Sequence, residues 1–426
     1  MNRSRFLALS MGFLMIAVFL IPTFRISDGG QKQKKTAAFE IPGGRTEDTA
    51  MAINNPHEFA WQLFLGINRQ ALPGKAGVPD PAYPNIRKYD DDLPVVWETW
   101  ALANGGRAGP VYFPPNRSEV YLDRGKKPLP WEELPRKTVQ PKVLEPLTGK
   151  GLDFILKVGR APGKFDPIED DGEGGLEVRM NRATYDYIRD NNLYSIEGLE
   201  EKFREGKELV LPQPAKEIKA RWVRITEKDK ARYHWRTTKD SKGNVQIWGL
   251  SALHIITRDL PNWFWCDFEH VDFERHAEQY SQDTTTRGLN PPSGDKGIRK
   301  ETKGTRWETM RLRGVQTSFV DAEGNPTILA NTQIEHGFQQ KSSCMTCHAR
   351  AGIGLRSARP NLPGWQANTL PLNLGTRPVL DEPVGVPDPK WFFDDYGERK
   401  YLQTHFLWSP PFRALSTKVL PPKQKQ

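Results

Sequence analysis

From Val245 to Ile256 the chain alternates two sets of side chains, and both sets are largely apolar. Val245, Ile247, Gly249, Ser251, Leu253 and Ile255 form one set; Gln246, Trp248, Leu250, Ala252, His254 and Ile256 form the other. A strand sends alternate residues to opposite faces. A strand of this composition needs cover on both sides and belongs inside a sheet. The aromatic run Trp263 to His270 follows after a short connection containing Pro261, and two runs so spaced predict a hairpin. Upstream, Ile218, Ala220 and Trp222 alternate with Lys219, Arg221 and Val223, which predicts a further strand. The middle of the chain is therefore expected to be a central antiparallel β-sheet.

Helix signals lie around it. Asn55-Pro56 sets a capping residue before a proline at the first helical position. Phe59, Leu63 and Ile67 then share one face, with Trp61, Phe64 and Leu65 beside it, which reads as core packing. Asn181 caps a helix through Tyr185 and Ile188, and Ser195 caps another with Leu199 and Phe203 as its apolar pair. Pro94 to Trp100 reads as a short buried segment. Val315–Val320, the turn Gly324-Asn325-Pro326 and Thr327–Ala330 predict a second hairpin, and Lys390–Phe406 a short helix and strand. With 36 Gly and 35 Pro, much of the rest should be loop and turn, including 70–94, 281–303 and 356–389. The acidic stretch Asp166 to Gly175 fails as a calcium loop. With Gly172 at the turn position, Pro167 takes the first ligand place and Val178 the last.

The net charge of +9 is unevenly spread. Residues 1–35 hold Arg3, Arg5, Arg25, Lys32, Lys34 and Lys35 against Asp28, a net +5, which leaves +4 for everything after them. A body so mildly basic, with no basic stripe interleaved with aromatics, argues against nucleic acid. It is compatible with docking to an acidic partner. Phe6 to Pro22 is almost wholly apolar and follows two arginines, which predicts an export segment. Ile21 to Ser27 offers a poor cleavage site, so an uncleaved N-terminal membrane anchor is favoured over a cleaved signal, although Lys32, Lys34 and Lys35 on the far side weigh against it. Either reading puts the body on the periplasmic side of a bacterial inner membrane or in the periplasm.

Cys344-Met345-Thr346-Cys347-His348 is C-x-x-C-H, the attachment sequence of a covalent haem c. Two thiols two residues apart on one turn match the separation of the two porphyrin vinyl groups. The next residue, His348, then faces the iron as its proximal ligand. A C-x-x-C pair can also be a redox dithiol or part of a zinc site. The residues before it, Phe338 to Ser343, do not read as the buried strand a dithiol enzyme would supply. A structural zinc site needs a second ligand pair, and the third cysteine, Cys266, sits in an aromatic run as a small buried hydrophobe.

In this motif the chain resembles the c-type cytochromes. More loosely, Phe59 to Phe64, Trp97 to Trp100, Trp265 to His270, Ala330-Asn331 and Ser343 to Ala351 are similar to stretches of a group of large bacterial "cytochrome c family" proteins. The resemblance implies haem c but no defined activity. One departure matters: small cytochromes c place a methionine ligand downstream of the motif, whereas the last methionine here is Met345, within it. Met310 precedes the motif. A histidine is the better sixth ligand, with His270 ranked first, His254 second and His405 third. Arg350, Arg356 and Arg359 are candidates to pair with the haem propionates.

The expected fold is α+β: a loop-rich body with a central antiparallel β-sheet, peripheral helices and a C-terminal haem-attachment segment. The expected order is an N-terminal signal or anchor (1–24), a linker (25–45), a mixed α+β body (46–300) and a haem c-binding segment packed on it (301–426). The expected function is electron transfer by an exported monohaem c-type cytochrome, with a redox partner protein or a membrane electron-transfer chain as partner. A haem enzyme of peroxidase or oxidase type, or a haem-based sensor with an open distal side, is the alternative.

Overall fold

The computed structural model describes residues 41–103, 118–134, 145–146, 175–239, 243–273, 300–331, 343–355, 373–374, 377–378 and 384–418. The apolar leader, most of the linker, the acidic stretch 166–174, the loop 281–299, Arg356 and Arg359 lie outside the described residues. Those described belong to one compact unit, Ala38–Gln426.

Its centre is an eight-stranded antiparallel sheet. The strands are β1 (Ala101–Leu102), β2 (Glu145–Pro146), β3 (Gly175–Met180), β4 (Lys216–Arg224), β5 (Trp235–Lys239), β6 (Val245–Thr257), β7 (Phe264–His270) and β8 (Met310–Gln316). The main order is β1-β3-β4-β6-β7-β8, with β2 on β3 and β5 on β6. The doubly apolar strand is thus interior, between β4 and β7, and the Trp263–His270 run is its hairpin partner. The strand expected from Val315 instead runs from Met310 to Gln316 and pairs with β7. The turn beyond it is held by Gly324 N–H donating to the Asp321 carbonyl. β8 thus brings residues from beyond position 300 into the main sheet.

The two faces of the sheet carry separate cores. On one face, Phe264, Cys266 and Phe268 of β7 pack with the helix Pro56–Ile67. Phe59 meets Phe264 edge-on with centroids 4.8 Å apart, and Phe64 stacks on Phe268 at 4.3 Å. Each fully buried ring of this kind contributes about 2–3 kcal/mol. Asn55 stands at the N-cap position of this helix with Pro56 first in it, as the sequence implies, but its side chain makes no capping hydrogen bond, and Thr46–Asn54 forms an additional helix before it. Cys266 is fully buried in this core. On the other face, Val178, Met180, Ile256 and Trp265 pack with residues of the helices Arg182–Asp190 and Ile196–Glu205 and of the Cys344–Ala349 segment. Asn181 and Ser195 cap those two helices, accepting from Thr184 N–H and Gly198 N–H. Among the described residues, no helix is long and apolar enough to cross a membrane.

Candidate functional site

The C-x-x-C-H residues form a short helix, Cys344–Ala349. Ser343 caps it, its hydroxyl accepting from Thr346 N–H at 3.1 Å. Gln316, the last residue of β8, fixes this cap to the sheet. Its side-chain amide donates to Ser343 Oγ and Thr327 Oγ1, each at 2.7 Å, and its carbonyl accepts from Met345 N–H at 2.9 Å. Thr346 Oγ1 donates to the Gly385 carbonyl at 2.7 Å. Every group in this cluster is paired, as buried polar atoms require.

The other end of the helix is held by residues 402–408. Gly352–Ile353 (β9) pairs with Leu402–Gln403, a short strand. Gln403 Nε2 donates to the Ala349 carbonyl at 3.0 Å and Trp408 Nε1 to the Cys347 carbonyl at 3.1 Å. The first satisfies a carbonyl that a helix end leaves unpaired, and the second adds to the Arg350 N–H already donated to the Cys347 carbonyl. Between them the backbone at His405 and Phe406 enters the left-handed region, with φ of 50° and 71°. A non-glycine residue held there costs on the order of 1–3 kcal/mol. The result is that the Phe406 carbonyl accepts from Nδ1 of His348 at 2.8 Å. Nδ1 is then the protonated nitrogen, and Nε2 is left for another partner. Trp265 meets the His348 ring edge-on at 4.8 Å, and Phe406 lies 5.8 Å from Trp265. Burial, with Lys219 and His254 nearby, holds the His348 imidazole neutral well below its usual range.

Below the helix, the sheet presents a histidine. His254 on β6 is directly opposite Asp267 on β7. Its Nδ1 lies 2.8 Å from Asp267 Oδ2, and its ring centroid is 5.9 Å from that of His348, with the planes inclined at 32°. His254 Nε2 is buried and has no hydrogen-bond partner, as is Asp267 Oδ1. Cys344 Sγ is 3.5 Å from Asp267 Oδ2 and 3.1 Å from the Leu329 carbonyl oxygen. Ligand atoms of His254, Asp267 and Cys344 lie within 4.8 Å of one another. No disulfide joins Cys344 and Cys347.

The histidine ranked first is differently engaged. His270 Nε2 donates to the Arg232 carbonyl at 3.1 Å, its Nδ1 accepts from Asp272 N–H at 3.2 Å, and its ring stacks on Tyr233 at 3.7 Å. Strand geometry accounts for this. His270 shares the parity of Phe264, Cys266 and Phe268, which face the helix Pro56–Ile67, whereas Trp265 and Asp267 face the motif. Met310 lies opposite His270 in register and packs in that same core. His405 Nδ1 accepts from Leu211 N–H at 3.3 Å and Trp263 Nε1–H at 3.2 Å. The sequence reading missed the 402–408 clasp; its signal was the aromatic run His405 to Trp408, which has no amphipathic period to explain it.

Arg350 is 2% exposed, and its guanidinium lies 3.9 Å above the Trp391 ring. Its Nε and Nη1 are buried with no hydrogen-bond partner. Burial brings its pKa down to about 10, with Cys347 opposing. The observed residues fit a haem c: a histidine with one nitrogen fixed and the other available, a buried partnerless imidazole nitrogen on a neighbouring ring, and an underpaired buried cation two residues on. No protein-family model, curated protein or solved structure matches the chain.

Proposed function

We propose that the chain is an exported monohaem c-type cytochrome that transfers electrons through one covalently bound haem c. The observation that carries the reading is the orientation of His348, whose Nδ1 is engaged by the Phe406 carbonyl within a helix that also holds Cys344 and Cys347. The two thiols would form the thioether bonds, and His348 Nε2 would be the proximal ligand. Haem c, when bound, supplies one-electron exchange at its iron.

The protein's own residues supply the setting. Trp265 and Phe406 give apolar cover beside His348. The buried Arg350 suits a propionate, since a guanidinium without full hydrogen bonding pairs strongly with a carboxylate. The apolar run Phe6–Pro22 supports export and an anchor at the periplasmic side of the inner membrane. The mild positive excess of the body supports a redox partner protein or a membrane electron-transfer chain with an acidic docking face.

The test is expression of the full chain with haem-attachment machinery, followed by a haem stain after denaturing electrophoresis. Haem should migrate with the wild-type chain and be absent from the Cys344→Ser/Cys347→Ser variant. A wild-type chain that carries no covalent haem would sink the reading.

One observation favours a second reading, a mononuclear metal centre: the convergence of His254, Asp267 and Cys344. The two are mutually exclusive at Cys344, because a thioether sulfur is not a thiolate ligand. Stoichiometric zinc without haem, by elemental analysis, selects it.

A further inference from the structure

We propose that His254, oriented by Asp267, is the second axial ligand of the haem iron, opposite His348; this rests on the haem reading above. Metal–imidazole bonds are about 2 Å long, so two imidazoles sharing one ion stand roughly 6 Å apart between ring centres. The His254 and His348 rings are 5.9 Å apart. The register of β6 against β7 puts His254 opposite Asp267, on the face that packs the motif.

The protonation pattern agrees with the spacing. Asp267 Oδ2 accepts from His254 Nδ1 at 2.8 Å, which fixes the tautomer and leaves the lone pair on Nε2. That nitrogen is buried and partnerless, a condition that costs about 1–3 kcal/mol when nothing satisfies it. A metal bond satisfies it. His348 is arranged in the same way, with the Phe406 carbonyl in place of the carboxylate. Two histidines, each tied at Nδ1, thus stand with ring centres 5.9 Å apart. His270 has both nitrogens engaged, and His405 has its Nδ1 doubly engaged.

Two histidine ligands leave no open position for a small molecule, which favours electron transfer over peroxide or oxygen chemistry. The Asp267 carboxylate makes the His254 imidazole a stronger donor, which stabilises the oxidised iron and lowers the reduction potential.

The test uses the full-length protein matured with haem, with oxidised, reduced and carbon monoxide-treated absorption spectra. Low-spin spectra and no binding of carbon monoxide on mixing are expected for the wild type. His254→Ala should become high-spin, bind carbon monoxide on mixing, and return to low-spin with added imidazole. Asp267→Asn should stay low-spin with a more positive potential, and it tests the proposal if His254→Ala does not fold. Covalent haem with a high-spin wild-type spectrum, an unchanged low-spin spectrum in His254→Ala, or an unmoved potential in Asp267→Asn overturns the proposal and leaves the haem reading standing. Wild-type protein without covalent haem overturns that reading as well.

Discussion

Nδ1 of His348 donates across 2.8 Å to the carbonyl of Phe406, a residue 58 positions further along the chain whose φ is 71°. The bond couples the orientation of the motif histidine to a bend that a non-glycine residue adopts only at a cost. The neighbouring His405, also at positive φ, helps hold that bend, since its Nδ1 accepts from Leu211 N–H and Trp263 Nε1–H. His405→Ala removes the acceptor and is expected to lower stability by about 1–3 kcal/mol. Urea unfolding measures the loss. If the matured protein carries haem as proposed, its spectrum should stay low-spin in this variant.

His270→Ala separates the two faces of β7. It removes the stack on Tyr233 and the bond to the Arg232 carbonyl, and should cost about 1–3 kcal/mol. Axial ligation should be untouched, and a shift to high-spin absorption in this variant would contradict the strand parity described above.

Gln316→Leu should be among the more damaging single changes near the site. It strands Met345 N–H and removes a donor from Ser343 Oγ and from Thr327 Oγ1, each of which keeps another partner. A loss of about 1–3 kcal/mol is expected from the buried N–H left unpaired. Gln316→Glu keeps the acceptor for Met345 N–H but loses the amide donor, so it should be harmful too.

A pH effect is expected far from the motif. His234 Nε2 lies 3.2 Å from Glu98 Oε1, while Arg236 grips the same carboxylate through Nε at 3.0 Å and Nη2 at 2.6 Å. Burial brings the His234 pKa down to about 4, against the opposing pull of Glu98. The unfolded chain, titrating near 6.5, binds a proton there before the folded chain does. This contribution is full above pH 6.5 and falls away as pH drops toward 4, by at most roughly 3 kcal/mol. His234→Gln should flatten that part of the denaturant-midpoint profile.

Arg350→Leu removes a buried positive charge two residues from His348. Loss of a nearby cation favours the oxidised iron, so the reduction potential should move negative by on the order of tens of millivolts. Potentiometric titration of the matured protein reads the shift.

Much of the sheet was legible because its signals are local. Val245 to Ile256 announced an interior strand by its two apolar sets, Asn181 and Ser195 announced helix starts by capping chemistry, and Pro56 announced one by its place at the first helical position. The motif was legible because its residues are contiguous. The ranking of histidines depended on which strand faces meet, which periodicity supplies only once a register is known. Asp267 and Glu269 share one parity of β7, and His270 shares the apolar one. That His254 stands opposite an acid of the motif-facing set, Asp267, is a long-range fact that the sequence does not show. The Phe406 carbonyl is a backbone group and leaves no mark in the residue sequence.

Cys344 is 4% exposed, with its sulfur against Asp267 and the Leu329 carbonyl. On the proposed haem reading, thioether formation at this position would come before closure of the fold, because an external catalyst cannot reach a thiol so enclosed. On that reading, haem attachment and sheet closure would stand in a fixed temporal order. Apoprotein that folded first would then be a kinetic dead end, recoverable only by unfolding.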